Sequence, residues 1–217
     1  MNKDKKEKNR KLTPAEQRRL ESFQKISKEF TEQGYRMTDL TVGLVWANIF
    51  AILIGIPIFI GAAILFYLYN RPFTDGFSLS LSVKGKIIFF VILIVLIVVH
   101  ELIHGLTWGL FSKNHFHDIE FGFIKEYLTP YCTCKTPLLK YQYIVGALTP
   151  LIFLGLIPFI ISIFTGSVLL FLLGVVMTLS AGGDILIVIQ ILKYKSGSKD
   201  ILYIDHPTQG GGVIFER

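Results

Sequence analysis

Two histidines and a glutamate lie inside a strongly apolar segment of the sequence. The stretch VVHELIHG, residues 98–105, contains His100, Glu101 and His104, and the apolar run that begins at Ile87 meets no charge before Glu101. A charged side chain at the centre of a bilayer costs about 2.5–3.5 kcal/mol on insertion scales, so ionisable groups within membrane segments are generally functional. The segment therefore predicts a chemical site.

The spacing of these residues is that of a metal site. Residues four apart lie on one face of an α-helix, so His100 and His104 can hold one ion between them. Glu101 is rotated by about 100° and can reach a water bound to that ion. This is the H-E-x-x-H arrangement of two zinc ligands and a general base. The alternative, two structural histidines and a glutamate, would require partners elsewhere in a membrane bundle.

A catalytic zinc also needs a third protein ligand and an open position for water. The apolar segments contain one acidic residue besides Glu101, namely Asp184 in SAGGDILIV. Gly182 and Gly183 before it would permit close approach to the second span or local unwinding. Alternatively, the glycines only pack helices and the aspartate snorkels or caps. We predict His100, His104 and Asp184 as metal ligands, with Zn2+ as the cofactor and Glu101 as the catalytic base.

The composition indicates a polytopic membrane protein. The 217 residues are 52% hydrophobic, with a mean hydropathy of +0.54. The apolar residues form blocks of about 20 residues or more, the length that a membrane helix needs. Four spans are predicted, approximately at residues 42–69, 86–111, 141–164 and 167–192. Only Thr165 and Gly166 separate the last two spans, which predicts an antiparallel pair. The predicted fold class is therefore an all-α membrane protein.

The charge distribution predicts the orientation. The net charge is +6, and residues 1–36 hold eleven Lys/Arg against six Asp/Glu. A basic segment before a first membrane helix is typical of a cytoplasmic N-terminus, and favours the lipid bilayer over nucleic acid as a partner. With four spans, the C-terminus is cytoplasmic as well. We expect a multi-pass cell-membrane protein with a cytoplasmic segment (1–40), a transmembrane domain (41–193) and a cytoplasmic tail (194–217).

This topology places the predicted ligands at one depth. At 1.5 Å per residue, His100 and His104 lie about 16 Å and 10 Å from the cytoplasmic end of the second span. Asp184 lies about 12 Å from the same surface in the fourth span, which runs in the same direction. The three groups are expected in the cytoplasmic half of the membrane, where water could reach them.

The N-terminal segment predicts one helix. Thr13 and Glu16 form a capping box with proline between them at the first helical position, and Gly34 is a plausible stop. One face of this helix carries an apolar stripe of Leu20, Phe23, Ile26 and Phe30. The stripe can lie on the membrane surface or pack on the protein.

The connection between the second and third spans predicts a small β-hairpin. Ile119, Phe121 and Phe123 alternate with other residues, and the β-prone YCTC stretch follows Pro130. An edge of this hairpin could accept an extended substrate by backbone hydrogen bonds, although a plain surface loop is the alternative.

Other candidate residues receive structural interpretations. Cys132 and Cys134 lack a second Cys pair and stand too close for an easy mutual disulfide, so we expect reduced thiols packed on the membrane domain. His115 and His117 are expected to be solvated. Residues 205–212, which include Asp205, His206 and three consecutive glycines, predict a flexible or strand-adding segment and not a nucleotide loop.

The motifs together resemble a known class. HELIH in the second span, the hairpin-like connection, GALTP with Gly146 and Pro150 in the middle span and GGD in the last span resemble the site-2 proteases, which are intramembrane metalloproteases. They also resemble a family of small bacterial membrane proteins described as zincin peptidases. The likeness begins near Tyr35. It implies the same ligands, His100, His104 and Asp184, and peptide hydrolysis as the activity.

The chain departs from the site-2 protease pattern at two places. Those proteins usually carry an asparagine shortly after the middle-span motif, where this chain has Phe153. They also carry asparagine-proline-aspartate-glycine around the ligand aspartate, where this chain has the sequence Ala181-Gly182-Gly183-Asp184. No residue is therefore assigned to transition-state stabilisation.

The predicted function is that of a zinc-dependent intramembrane metalloprotease acting on membrane protein or peptide substrates. Zinc would activate a water, and Glu101 would accept its proton. A non-catalytic membrane zinc scaffold or sensor is the alternative, and it has no need of Glu101. An ion transporter using His100, Glu101 and Asp184 is a further alternative, but the sequence has no repeated half of the kind that common transporters show.

Overall fold

The computed structural model describes residues 12–74, 82–124 and 129–217. The basic residues 1–11, on which the predicted orientation partly depends, lie outside these ranges. The helices are α1 (Pro14–Glu32), α2 (Leu44–Thr74), α3 (Val83–Phe111), α4 (Lys140–Pro150), α5 (Ile157–Thr165), α6 (Val168–Ser180) and α7 (Gly182–Lys193). The strands are β1 (Arg36–Asp39), β2 (Ile119–Ile124), β3 (Thr129–Cys134), β4 (Leu138–Leu139), β5 (Ile201–Asp205) and β6 (Gly212–Glu216).

Three helical segments of the described chain are long and apolar enough to cross a membrane. They lie at Trp46–Asn70, Val83–Phe111 and Lys140–Thr165, and the third joins α4 and α5 through a π-helical turn. Large apolar side chains cover their outer faces, since Ile52, Leu53 and Leu68 of α2 are 62–65% exposed. Such surfaces suit lipid. The helices indicate a membrane protein with three or four spans, as the first three predicted spans anticipate.

The predicted fourth span is not one straight helix. The helices α6 and α7 meet at Ala181 with a bend of 46°, and only the pair together could form a span. A Cβ atom at Gly182 would lie 2.4 Å from the Cβ of Ala51, so α7 crosses α2 closely at this point. The close approach was predicted toward the second span and occurs toward the first. The break places Asp184 in the first turn of α7.

Residues 166–167 join α5 to α6 in a short turn, as the predicted antiparallel pair requires. Gly166 adopts a left-handed conformation with φ of +66°, and its N–H donates to the carbonyl of Ser162 at 2.9 Å. Only glycine adopts this conformation at little cost. The two helices then pack closely, because a Cβ atom on Gly174 would lie 2.7 Å from the backbone nitrogen of Phe159.

The predicted β-hairpin is present. Strands β2 and β3 pair antiparallel, with Ile119 opposite Cys134 and Ile124 opposite Thr129. The hairpin lies against α3, where Phe121 and Ile119 contact Gly105. Residues 125–128 of its turn lie outside the described residues.

A second sheet makes the all-α class too narrow. It has four strands in the order β1-β6-β5-β4, with antiparallel pairs. The segment 194–217, expected to be a tail, thus supplies two strands. The expected strand-adding behaviour of the glycine-containing segment is confirmed, because Val42 and Gly210 also form a bridge. The partners are separated in sequence by up to 180 residues, as in the pair of Arg36 with Glu216, so local patterns could not reveal the sheet.

The capping of α1 agrees with the prediction. The N–H of Glu16 donates to Thr13 Oγ1 at 3.3 Å, the N–H of Thr13 donates to Glu16 Oε2 at 2.8 Å, and Gly34 follows the helix with φ of +86°. The apolar stripe packs on the protein, which decides between the two alternatives. Phe23, Ile26 and Phe30 contact the buried cluster formed by Ile204, Val213 and Phe215 of the four-stranded sheet.

Replacing Phe215 by alanine should loosen the attachment of α1. Phe215 is fully buried and stacks on Phe30 with 5.0 Å between ring centroids. Loss of such a side chain costs about 3–5 kcal/mol. We expect faster proteolysis within α1 and a lower midpoint of thermal unfolding. Met37→Ala, at a position 47% exposed in the same sheet, is the control, and equal effects of the two substitutions would contradict this packing.

Candidate metal centre

The structure brings together the three side chains predicted as metal ligands. His100 Nε2 lies 3.2 Å from Asp184 Oδ2, and His104 Nε2 lies 3.5 Å from Asp184 Oδ1. The two Nε2 atoms are 3.1 Å apart. Ligand atoms about 2 Å from a tetrahedral zinc ion stand roughly 3.3 Å from one another, so these separations fit one ion. Two imidazoles and one carboxylate are also a donor set that zinc accepts.

The helices explain this convergence. His100 and His104 lie on the buried face of α3 and are 6% and 3% exposed. The opposite face of α3 carries exposed leucines, among them Leu102 and Leu106. The break at Ala181 starts α7 beside this buried face, so that Asp184 meets the histidine pair. Two helices that are distant in sequence therefore build the centre.

A backbone carbonyl fixes the orientation of the His104 ring from the side that faces away from the other ligands. His104 Nδ1 lies 2.8 Å from the carbonyl oxygen of Gly146, which can only accept a hydrogen bond. Nδ1 therefore carries the proton, and Nε2 is left with a free lone pair for a metal. The His104 ring also stacks on Trp108 at 5.0 Å, with 13° between the planes.

Glycine at position 146 is required by this support. A Cβ atom there would lie 2.0 Å from Nε1 of Trp108. Trp108 Nε1 in turn donates to the carbonyl of Tyr143 at 3.2 Å. His100 lacks comparable support, because its buried Nδ1 has no hydrogen-bond partner among the residues that the structure describes.

Glu101 lies beside the three ligands without joining them. The candidate metal-ligating group consists of His100, His104 and Asp184, whose possible ligand atoms lie within 4.8 Å of one another. Glu101 is half-buried, lines the same cavity, and its carboxylate lies near the backbone N–H of Cys132 on β3. A carboxylate in this position can act on a water at the metal, as the sequence motif predicts.

A cavity of about 350 Å³ adjoins the centre. Its walls come from the helices α3 and α7 that carry the candidate ligands, from β3, from the start of α1 and from the loop between β5 and β6. This volume is within the usual range of ligand sites. Elements of the predicted membrane domain and of the flanking segments thus share one concave site.

Strand β3 presents a backbone edge to this cavity. The N–H of Cys132 is directed toward Glu101, and the N–H of Cys134 donates to Asp205 Oδ2 at 3.0 Å. In an antiparallel pair, alternate residues direct their N–H groups to the two sides of a strand. Pro130, which has no N–H, shares the side of Cys132, as is usual on an edge. The edge beside Cys132 therefore faces the cavity and not β2.

Helix α1 covers the face of the β2–β3 hairpin that is opposite to α3. The Arg19 guanidinium lies over the Tyr131 ring at 4.3 Å and 3.9 Å from Glu120, with its side chain 8% exposed. Glu16 and Arg19 also line the cavity. The amphipathic stripe predicted α1 itself, but it gave no indication that α1 borders the site, because these contacts depend on tertiary structure.

The remaining histidine and cysteine candidates from the sequence are not part of the three-residue ligand group. His115 and His117 are exposed in a 3₁₀ turn, as expected for solvated side chains. Cys132 and Cys134 are free and pack in the core near Trp108. Burial raises the pKa of Cys134 to about 11 and that of Cys132 further above its usual range, so both thiols are protonated at neutral pH. The expected packing of these thiols is confirmed.

Three cavity residues were not assigned a role from the sequence. Asn48 of α2, Tyr143 of α4 and Asp205 of β5 all line the cavity. The single amide at position 48 within the apolar start of α2 was an available signal. A tyrosine near the end of a membrane span and an aspartate in a polar segment are both common, so the sequence around Tyr143 and Asp205 gave no signal.

These features describe a mostly helical protein with three or four candidate membrane spans and a candidate His₂Asp metal centre. Residues 93–199, slightly less than half of the chain, match the model of a protein family described as "Putative zincin peptidase". The match contains His100, Glu101, His104 and Asp184, and it confirms the resemblance to zincin peptidases. No match was found among curated proteins or among solved structures. This match supports zinc and a metallopeptidase class.

Substituting Gly146 by alanine should weaken metal binding. The added methyl group would displace Trp108 and disturb the carbonyl that orients His104. Loss of such an orienting partner typically costs 10-fold to 100-fold in metal affinity, roughly the range we expect. Zinc competition with a chelator measures the effect. Gly61→Ala is the matched control, because a Cβ atom there meets nothing within 4 Å, and equal affinities of both variants would contradict this role.

Proposed function

We propose that this protein is a zinc-dependent metallopeptidase that hydrolyses peptide bonds of membrane-associated substrates. The observation that carries the proposal is the convergence of His100, His104 and Asp184, with Glu101 beside them, within a segment of the zincin peptidase family. The site lies on helices apolar enough to cross a membrane. This supports an intramembrane activity similar to that of site-2 proteases.

The protein residues have distinct roles in this mechanism. His100, His104 and Asp184 would hold Zn2+, which supplies Lewis acidity and lowers the pKa of a bound water when present. Glu101 accepts the proton of the attacking water and delivers it to the leaving amine as the peptide bond breaks. The carbonyl of Gly146 keeps His104 in the tautomer that leaves Nε2 available.

The substrate binds as an extended segment in this proposal. The edge of β3 beside Cys132 offers backbone carbonyls that can accept hydrogen bonds from such a segment, while its N–H groups are directed to Glu101 and Asp205. A cavity of about 350 Å³ admits only a short stretch of chain. A helical substrate must therefore unwind before its backbone reaches the site.

The charge pattern and the apolar helices support a proposal for the environment of the protein. We propose that the lipid bilayer is the immediate environment and that the centre lies in its cytoplasmic half, with both flanking segments on the cytoplasmic side. The basic residues cluster before the first membrane helix, which favours this orientation over binding of nucleic acid. Membrane proteins or peptides released near the membrane are the proposed substrates.

A non-catalytic zinc scaffold or sensor is the second candidate. It is favoured by Phe153 and Gly182, which stand near or at the places where site-2 proteases usually carry asparagine. A scaffold would need the three ligands and not the neighbouring carboxylate. The two functions are therefore separated by the requirement for Glu101.

Two substitutions test the proposed function. Glu101→Gln should retain zinc and lower the rate of peptide cleavage by about 10²–10⁴-fold, because a general base is lost. Asp184→Ala should lose both zinc and cleavage, because a ligand is removed. Zinc analysis and hydrolysis of a fluorogenic peptide library in detergent micelles measure these effects.

The control is Glu21→Gln, at an exposed position of α1, which should leave zinc content and cleavage unchanged. Cleavage by Glu101→Gln at the rate of the unsubstituted protein would exclude Glu101 from the mechanism. Zinc binding by the unsubstituted protein without any cleavage would favour the scaffold function.

A further inference from the structure

Asp205, at the end of β5, connects two walls of the cavity and takes no part in the proposed proton transfers. Its Oδ1 atom accepts a hydrogen bond from the hydroxyl of Tyr143 at 2.5 Å. Its Oδ2 atom accepts a hydrogen bond from the backbone N–H of Cys134 at 3.0 Å. Tyr143 belongs to α4 and Cys134 belongs to β3, so one carboxylate joins three elements.

The environment of Asp205 makes its position costly. Burial raises the pKa of its carboxyl group, against hydrogen bonds from Tyr143, Cys134 and Thr133 that stabilise the charged form. A buried carboxylate is tolerated when its oxygens are satisfied by donors. Asp205 lines the cavity together with the metal-binding residues. A role of this hydrogen-bond network in organising the site would explain why a carboxylate occupies the buried position.

One side of the network leads to His104. The carbonyl of Tyr143 accepts a hydrogen bond from Trp108 Nε1 at 3.2 Å, and the Trp108 ring stacks on His104 at 5.0 Å. Trp108 also fills the space above Gly146, whose carbonyl holds His104 Nδ1 at 2.8 Å. The placement of Tyr143 therefore affects the placement of this metal ligand.

The other side of the network leads to Glu101. Cys134 and Cys132 lie two residues apart on β3 and direct their N–H groups to the same side of the strand. Asp205 holds the first of these groups, and Glu101 lies beside the second. Fixing Cys134 thereby fixes the strand edge that borders the proposed base.

We propose that Asp205 is a positioning residue that holds α4 and β3 in place around the metal centre. The four-stranded sheet, of which β1, β5 and β6 lie outside the matched segment 93–199, then becomes a functional part of the site. The catalytic part of this inference rests on the proposed peptidase function. The geometric part concerns the metal centre alone and can be measured without a substrate.

The test uses Asp205→Asn, Tyr143→Phe and the double variant in the full-length protein loaded with Co2+. The visible spectrum of bound Co2+ reports the ligand geometry, and peptide cleavage gives kcat and KM. We expect each single variant to change the Co2+ spectrum and to lower kcat by about 10-fold to 100-fold, as for other residues that orient metal ligands. The double variant should show little further loss, because the two residues act as one unit.

The chain offers a matched control in the same sheet region. The Tyr35 hydroxyl donates to Asp200 Oδ2 at 2.5 Å, which repeats the phenol–carboxylate pair outside the cavity lining. Asp200→Asn and Tyr35→Phe should leave the Co2+ spectrum and kcat unchanged. If these controls behave like the Asp205 variants, the effect is general loosening of the sheet and the proposal is overturned.

Other outcomes are equally decisive. An unchanged spectrum and unchanged kcat in Asp205→Asn would overturn the positioning role while leaving the peptidase function intact. A changed spectrum in a protein that cleaves no peptide would support the positioning role and count against the peptidase function. If Asp205→Asn fails to fold, Tyr143→Phe decides the question, since it leaves the Asp205 bond to Cys134 in place.

Discussion

The arrangement depends on the cost of placing ionisable groups among apolar helices. Two imidazoles and two carboxylates lie within or beside segments long enough to span a bilayer, where unpaired charge is expensive. Their convergence lowers that cost, because His100, His104 and Asp184 face one another within 4.8 Å. The bend at Ala181, the crossing at Gly182 and the support of His104 by Gly146 all serve this convergence. The cost of unpaired charge among apolar helices thus explains both the apolar outer faces and the grouping of the polar side chains at the centre.

Much of the architecture was accessible from the sequence because it is encoded locally. Apolar blocks, a capping box and a short alternation predicted the membrane helices, α1 and the β2–β3 hairpin. The H-E-x-x-H spacing and the isolated acid in the last apolar block predicted the group that the structure brings together. In each case, the signal lies within about a dozen neighbouring residues or follows from the cost of charge in hydrocarbon.

The remainder depends on contacts that local patterns do not carry. The four-stranded sheet pairs residues 36–39 with residues 213–216, and its β4 strand has only two residues. The bend at Ala181 coincides with the close packing of Gly182 on Ala51. The glycine pair before Asp184 allowed for local unwinding but did not show which helix α7 would approach. Asp205 acquires its partners only when α4 and β3 are in place. A sequence reading based on periodicity therefore finds the helices and misses the elements that connect them.

The position of β6 has a consequence for biosynthesis. This strand is the last of the described strands in the sequence, and it lies between β1 and β5 in the sheet. It therefore pairs directly with β1, the first described strand. Residues 212–216 are synthesised after the described helices α1 to α7. These helices are therefore made before the sheet can close, and the wall that contains Asp205 is completed after them. A nascent chain that has these helices but lacks β6 still has an unfinished cavity beside the candidate metal centre.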